Sequence, residues 1–199
     1  MGSSTGRAGP VFVITGTSGA GKGTLEKALL ARMPELELAV SATTRERRPG
    51  EQNGREYWFL TDEEFEERVR AGGFLEHVTH AWGKRAGTLR SEIARIRDAG
   101  RVPLLDLETQ GALVVGDEVP GAVTIFVKAP TFAELERRLR ERATESAGEI
   151  EVRLQVARDQ LAAEDAFDHV VVNDDLDRAV EELTEIVRGA LSGAATMGS

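Results

Sequence analysis

The chain has 199 residues, of which 41% are hydrophobic and 30% charged, as in an ordinary globular protein with one domain. Its formal net charge of −9 argues against a nucleic-acid-binding protein, because affinity for the phosphate backbone needs a basic surface. Cysteine is absent, which excludes disulfides and thiolate metal sites. No run approaches the ~18 apolar residues of a membrane span and no secretory signal is visible, so we expect a cytoplasmic protein without membrane contact.

Apolar runs alternate with helical patterns along the chain. A strand ending near residue 15 is followed by a glycine-rich turn and a helix over 25–33. Further strands are predicted over 36–40, 74–79, 102–107, 123–127 and 170–172, and further helices over 61–71, 90–99, 131–142, 150–163 and 176–191. The strands near 11, 102, 123 and 170 are almost wholly apolar, as in a parallel sheet covered by helices on both faces. The pattern therefore predicts a three-layer α/β/α fold with a parallel central sheet.

Residues 41–88 interrupt this alternation. They are polar and rich in turns, with short strand signals, which favours a subdomain inserted over the carboxyl edge of the sheet, where ligands bind. We predict one domain over 9–191, with a core formed by 9–40 and 89–191. The ends, 1–8 and 192–199, are small and polar and are expected to be flexible.

A glycine-rich turn follows the first strand and opens the first helix. It consists of Gly16, Thr17, Ser18, Gly19, Ala20, Gly21, Lys22, Gly23 and Thr24. Glycines let successive N–H groups turn inward around a phosphate chain, the helix directs its positive end at the same point, and Lys22 adds an ammonium. A turn that binds nothing is the alternative, but the full G-x-x-x-x-G-K spacing between a strand and a helix favours an ATP-binding P-loop.

The residue after the P-loop lysine is Gly23, which lacks the hydroxyl that usually binds Mg²⁺ in P-loop proteins. Either Thr24 takes that role, or the nucleotide, water and a carboxylate elsewhere hold the metal. Adenylate kinase has a similar Gly-Lys-Gly-Thr ending, which favours a small-molecule kinase over a GTPase switch.

A second cationic segment follows the strand over 36–40. It runs from Ser41 to Glu51 and includes Arg45, Arg47 and Arg48, and Tyr57 comes shortly after it. Guanidinium groups bind phosphate bidentately and hydroxyls add further bonds. A solvated surface loop with paired arginines is the alternative. Beside a P-loop, this segment predicts a site for an acceptor phosphate.

The chain resembles the guanylate kinase family over about 9–191. The resemblance lies in motifs whose order and spacing match the family: the P-loop, Ser41, Thr43-Thr44-Arg45, Arg48, Gly50-Glu51, Tyr57, Phe74-Leu75-Glu76-His77, Gly87-Thr88, Leu105-Asp106-Leu107-Glu108-Thr109-Gln110-Gly111, Arg142-Ala143-Thr144-Glu145, Arg153-Leu154 and Val172-Asn173-Asp174-Asp175. It implies a P-loop kinase fold with an inserted NMP-binding subdomain over 41–88 and a short lid over about 142–153. It also implies the reaction ATP + GMP = ADP + GDP, with Mg²⁺, in purine metabolism.

The resemblance also assigns roles to single residues. The residues that hold the GMP phosphate are Ser41, Arg45, Arg48 and Tyr57, and those that bind guanine are Glu76, Thr88 and Glu108. Lys22, Arg45, Arg142 and Arg153 are the cations of phosphoryl transfer, Asn173 lies near ATP, and Asp106 organises Mg²⁺ through water. A carboxylate in the nucleobase site suits guanine, because guanine presents adjacent hydrogen-bond donors at N1 and N2 and adenine does not.

Two departures leave the acceptor open. Ala86 stands where the family has a tyrosine that binds the GMP phosphate, in a segment one residue longer than usual, and Glu108 replaces a shorter aspartate. Lys84 or Arg85 is a candidate replacement for the lost contact. The alternatives are a kinase for dGMP, a modified GMP or a ribosyl phosphate, and a non-catalytic protein-binding module of this family. The sequence leaves monomer or homodimer open.

Overall fold

The computed structural model describes residues 9–80, 83–142 and 147–196, except for the side chains of 142, 147, 149, 195 and 196. The strands within this part of the chain are β1 (Val11–Gly16), β2 (Leu36–Leu38), β3 (Ala42–Thr43), β4 (Trp58–Phe59), β5 (Phe74–Thr79), β6 (Arg85–Leu89), β7 (Val102–Asp106), β8 (Ala122–Lys128) and β9 (His169–Val172). The α-helices there are α1 (Lys22–Arg32), α2 (Asp62–Arg70), α3 (Arg90–Asp98), α4 (Thr109–Glu118), α5 (Phe132–Arg142), α6 (Ala147–Leu161) and α7 (Leu176–Thr196).

The central sheet has the strand order β2-β7-β1-β8-β9, and all its pairs are parallel. Side chains of β1 alternate between two buried clusters. Phe12 and Ile14 pack on the side of α1 and α7, whereas Val11 and Val13 pack on the side of α3 and α4. Burial on both faces explains why β1 is almost wholly apolar, and the predicted three-layer fold with a parallel sheet is confirmed.

The inserted segment carries its own sheet, with the order β4-β3-β6-β5 and antiparallel β3–β6 and β5–β6 pairs. Helix α2 covers one face of this sheet, where Phe65 stacks on Phe74. Thr61 and Glu64 form the capping box that starts α2. The other face of this sheet points toward α4, because the side chain of Glu76 on β5 lies against Gly111 in the first turn of that helix.

Four of these elements, β3, β4, β6 and α4, were not predicted individually, and several others, α7 among them, extend beyond their predicted bounds. Helix α4 carries little helical signal, because glycine and β-branched residues dominate it. Strand β6 follows Gly83 and contains Gly87, so the segment read as turns. Helix α7, predicted over 176–191, continues to Thr196, since the alanines of its last turns are strong helix formers.

None of the described helices combines the length and the apolar content that crossing a membrane requires.

Candidate active site

The P-loop joins the end of β1 to the start of α1, and three of its glycines have backbone angles that favour glycine, of which Gly16 and Gly21 also lack room for a Cβ. A Cβ at Gly16 (φ 151°) would lie 2.1 Å from the carbonyl oxygen of Val127, and a Cβ at Gly21 (φ 85°) would lie 2.5 Å from Nδ2 of Asn173. Gly21 is also the N-cap of α1, so the unpaired N–H groups of the first helical turn open directly onto the loop. This arrangement is suited to an anion.

The side chain of Asn173 contacts the backbone of the P-loop. Its Nδ2 donates a hydrogen bond of 2.6 Å to the carbonyl oxygen of Ala20, and the side chain is buried. Arg138 donates from Nη2 to the carbonyl oxygen of Asn173 at 3.1 Å. Asn173 therefore lies beside the predicted ATP site, where its amide donor fixes the shape of the loop.

Lys22 lies between carboxylates from two elements. Its Nζ donates to Oδ1 of Asp106, at the end of β7, and lies 3.9 Å from Oε1 of Glu26, one helical turn further along α1. Burial lowers the pKa of the Lys22 ammonium, and the charges of Glu26 and Glu108 partly oppose that shift. The predicted phosphate-binding cation is thus held at the carboxyl edge of the sheet, next to the loop.

The described residues around Asp106 suit an indirectly held Mg²⁺. No group of three or more His, Cys, Asp or Glu side chains able to hold a metal ion occurs among them, so a cage of protein ligands is absent from the described part. Mg²⁺ commonly uses one or two carboxylates, phosphate oxygens and several waters. The buried hydroxyls of Thr15, Thr17 and Thr109, which lie near the end of β1, directly after β1 and at the start of α4, have no hydrogen-bond partner in the described structure.

The second cationic segment is organised around Arg45. Its Nη1 and Nη2 donate to the two carboxylate oxygens of Glu51 at 3.0 and 2.8 Å, and its guanidinium lies 5.2 Å from the ring centroid of Tyr57 and 5.5 Å from that of Phe59. The Arg45 bond is the main reason why the pKa of Glu51 falls to about 2, with a further bond from the Arg48 backbone N–H at 2.7 Å. Glu51 therefore orients the Arg45 guanidinium in this segment. Sequence reasoning did not assign Glu51 a role, although Gly50-Glu51 is one of the motifs shared with the family.

Backbone pairing brings the other predicted phosphate-binding residues beside Arg45. The N–H of Trp58, next to Tyr57, donates to the carbonyl oxygen of Ser41 at 2.9 Å. Tyr57 is half-buried and contacts Phe59, whereas Arg48 is exposed. The structure thus places Ser41 and Tyr57 next to the paired strands β3 and β4, with Arg45 over the Tyr57 ring and Arg48 in the loop between the strands.

Glu76 and Thr88 form a buried pair across β5 and β6. Oε1 of Glu76 accepts hydrogen bonds of 2.8 Å from both the N–H and the hydroxyl of Thr88. Burial raises the pKa of the Glu76 carboxyl, and the Thr88 bonds partly oppose that shift. The second oxygen, Oε2, lies against Gly111 in the first turn of α4. A buried carboxylate with one oxygen held and one facing a cleft is suited to reading a pair of N–H donors.

Glu108 is exposed at the N-cap position of α4, two residues after Asp106 and three before Gly111. Its charge acts to raise the pKa values of both Lys22 and Glu76. Nδ1 of His80 lies 3.7 Å from Oε1 of Glu108. His80 did not stand out in the sequence, since a lone histidine in a turn carries no pattern.

Comparison with known proteins decides the family. The guanylate kinase family model matches residues 9–190. A guanylate kinase of Rubrobacter xylanophilus is 47% identical over 187 residues, which cover 94% of this chain and 97% of that one. A guanylate kinase of Prochlorococcus marinus is 48% identical over 179 residues, which cover 90% and 94% of the two chains.

This chain belongs to the guanylate kinase family. The crystal structure of guanylate kinase from Anaplasma phagocytophilum agrees with the fold, with a TM-score of 0.70 at 28% identity over 92% of this chain and 86% of that one. The resemblance inferred from the motifs is therefore confirmed.

Ala86 occupies the position at which the family has a phosphate-binding tyrosine. The structure excludes one of the two residues that we considered as a substitute for that tyrosine. Arg85 lies on the face of β6 covered by α2, where Nη1 donates to Glu66 at 2.9 Å and the guanidinium stacks 4.4 Å from the ring centroid of Phe65. Ala86 lies on the opposite face because successive strand residues alternate. Arg85 therefore does not replace the lost phenol, and Lys84 remains the candidate.

The guanylate kinase lid predicted over 142–153 is described in part. Residues 143–146 and the side chain of Arg142 lie outside the described residues, and α6 begins at Ala147. Arg153 is exposed on α6. Arg137 and Arg140 pair with glutamates of their own helix, as expected of surface charges.

Proposed function

We propose that the protein transfers the γ-phosphoryl group of ATP to GMP, giving ADP and GDP. Family membership supports this function, and one structural observation carries it. Lys22 contacts Asp106 at the end of β7, and Glu76 lies against Gly111 in the first turn of α4, so the P-loop lysine and the proposed base-reading carboxylate both lie at the segment 106–111 that joins β7 to α4. Two substrates bound in these two sites would meet between them.

The residues of the P-loop would bind ATP, namely Gly16, Thr17, Ser18, Gly19, Ala20, Gly21, Lys22, Gly23 and Thr24, with Asn173 behind them. Main-chain N–H groups and the ammonium of Lys22 would stabilise charge on the phosphate oxygens as the group moves. Asp106 would orient water on Mg²⁺, which supplies positive charge to the triphosphate. Lys22 binds Asp106 in this arrangement, so ATP must draw the ammonium away before Asp106 can serve the ion.

The acceptor would bind through Ser41, Arg45, Arg48 and Tyr57 at its phosphate and through Glu76, Thr88 and Glu108 at its base. Glu76 accepts from the N1 and N2 donors of guanine. AMP lacks these donors and would leave a buried carboxylate oxygen unpaired, which disfavours it. Arg142 and Arg153 are proposed to add positive charge around the transferred group when the lid over 142–153 closes.

Removal of the P-loop cation tests the reaction. Lys22→Ala should fold, because the lysine serves phosphate charge and not packing, and should lose most turnover of ATP and GMP in a coupled ADP assay. Retained kcat would contradict the role of Lys22.

A panel of acceptors tests the substrate. GMP should exceed AMP, UMP and ribosyl phosphates in kcat/KM, and equal rates would overturn the assignment. Ala86 lies on the cleft side of β6, so the phenol that the family uses there is lost. This loss favours one alternative, in which a related acceptor such as dGMP or a modified GMP is the best substrate. A non-catalytic protein-binding module would show no turnover with any acceptor.

Arg45→Ala tests the acceptor cradle and should raise the KM for GMP, whereas Arg47→Ala, an exposed arginine of the same loop, serves as the matched control. Cytoplasmic location, absence of nucleic-acid partners and the choice between monomer and homodimer stay predictions.

A further inference from the structure

Glu26 is a buried carboxylate that the proposed reaction does not use. It lies in the first turns of α1 and only 6% of its surface is exposed. Its Oε1 is buried without a hydrogen-bond partner in the described structure. Burying a carboxylate oxygen in this way costs stability, so its place beside the phosphate-binding loop calls for a reason.

Lys22 is the charged group next to Glu26 in the described structure. Oε1 lies 3.9 Å from Nζ of Lys22, which is one helical turn away on the same face of α1. The ammonium would need to move by about 1 Å to reach ordinary hydrogen-bonding distance. Burial raises the pKa of the Glu26 carboxyl and the charge of Lys22 opposes that shift, so the two groups are electrostatically coupled.

Asp106 and Glu26 differ in what they can do for Lys22. Asp106 belongs to another element and 41% of its side chain is exposed, whereas Glu26 shares the helix of Lys22 and is enclosed. A lysine that leaves Asp106 for a phosphate has four rotatable bonds and loses position unless a second group restrains it. An ammonium has three donors and can hold Glu26 and phosphate oxygens together.

We propose that Glu26 is a positioning residue that holds Lys22 over the P-loop when the lysine exchanges Asp106 for the nucleotide. This inference rests on the proposed phosphoryl transfer. The inference predicts that Glu26 increases turnover and lowers the stability of the folded protein. Glu108, the third carboxylate that acts on Lys22, is exposed at the cap of α4 and cannot restrain the lysine in the same way.

Glu26→Gln separates this role from a structural one. The substitution removes the charge but keeps the shape, and at pH 8 it should lower kcat about tenfold while the KM for GMP stays unchanged. Because a buried carboxylate whose Oε1 lacks a hydrogen bond in the described structure loses its charge, Tm should rise by about 2–4 °C. Glu35→Gln is the matched control, since it removes an exposed glutamate just beyond α1 and should change neither quantity. A kcat equal to that of the wild type would overturn the proposal whatever happens to Tm.

A double-mutant cycle shows whether Glu26 acts through Lys22. Calorimetry with a non-hydrolysable ATP analogue should give a weaker Kd for Glu26→Gln, and no further weakening when Lys22 is already alanine. Equal effects in both backgrounds would mean that Glu26 acts independently, and the proposal would fail. If the glutamine variant does not fold, Glu26→Asp, which keeps the charge and withdraws it by one methylene, provides the same cycle. Full turnover of Lys22→Ala would instead refute the proposed function itself.

Discussion

Gly111 and Glu76 lie so close that a Cβ at position 111 would be 2.8 Å from Oε2 of Glu76 and 3.3 Å from its Cδ. Gly111 belongs to the first turn of α4, and Glu76 belongs to the inserted sheet. The bare backbone of this turn therefore lets the buried carboxylate approach the helix N-terminus, whose positive end favours the ionised form. The orientation of the proposed base-reading group thus depends on a residue that makes no contact of its own with the base.

Gly111→Ala should displace Glu76 and raise the KM for GMP several-fold, while the KM for ATP stays unchanged. Alanine adds about 1 kcal/mol of helix propensity, so α4 itself should not be weakened. Steady-state kinetics with each substrate varied in turn measures the two constants. Gly189→Ala is the control, because a Cβ there would meet nothing within 4 Å. An unchanged KM for GMP would show that Glu76 is not held in place by this contact.

Glu51→Gln should raise the KM for GMP, because Arg45 loses one of the two charged contacts that aim its guanidinium. The folded pKa of Glu51, about 2, lies below the usual value near 4.5. The contribution of this carboxylate is therefore complete above pH 4.5 and is lost only as the pH falls through about 2. The ratio of mutant to wild-type KM should consequently be the same at pH 5.5 and pH 8.

Glu46→Gln makes the same change of charge on the same loop and serves as the control for Glu51→Gln. A lower KM for GMP in the Glu51 variant would mean that Glu51 competes with the phosphate for Arg45 and does not position it.

Arg85→Ala should leave the KM for GMP unchanged and lower Tm. The side chain stacks on Phe65 and pairs with Glu66 on the side of α2, and such a partly buried cation–π contact contributes about 1 kcal/mol. Thermal unfolding and GMP titration measure the two effects. The matched variant is Lys84→Ala, two residues before Ala86, which should raise the KM if Lys84 replaces the lost phenol. A raised KM for the Arg85 variant would return Arg85 to the acceptor site.

The free energy of unfolding should depend on pH through Glu26. Burial raises its folded pKa above the unfolded value, so the folded state binds the proton more tightly. Stability from this group is therefore greatest below the unfolded pKa and declines as the pH rises through the folded pKa. Urea unfolding of wild type and Glu26→Gln should give similar free energies at pH 4 and a more stable variant at pH 8. A difference that does not change with pH would show that Glu26 has an ordinary pKa.

The sequence was sufficient for the features that depend on local chemistry. The P-loop is recognisable because its glycines and Lys22 occupy fixed places between a strand and a helix, and Gly16 and Gly21 do adopt backbone angles that favour glycine. The apolar runs predicted the parallel sheet because strands buried on both faces carry mostly apolar side chains. The motif around Arg45 could be read because its arginines and hydroxyls are close in the chain.

Only the tertiary structure decided which side chains meet from distant parts of the chain. Lys22 contacts Asp106, 84 residues away, and Glu76 reaches Gly111 of a helix that the sequence did not reveal. The face occupied by Arg85 depends on the register of β6 against β5, which a segment with so many turn signals does not disclose. The burial of Glu26 also depends on the tertiary structure. The sequence does not distinguish this glutamate from an exposed residue of α1, and only the folded structure buries it beside Lys22, because burial depends on elements that are remote in sequence.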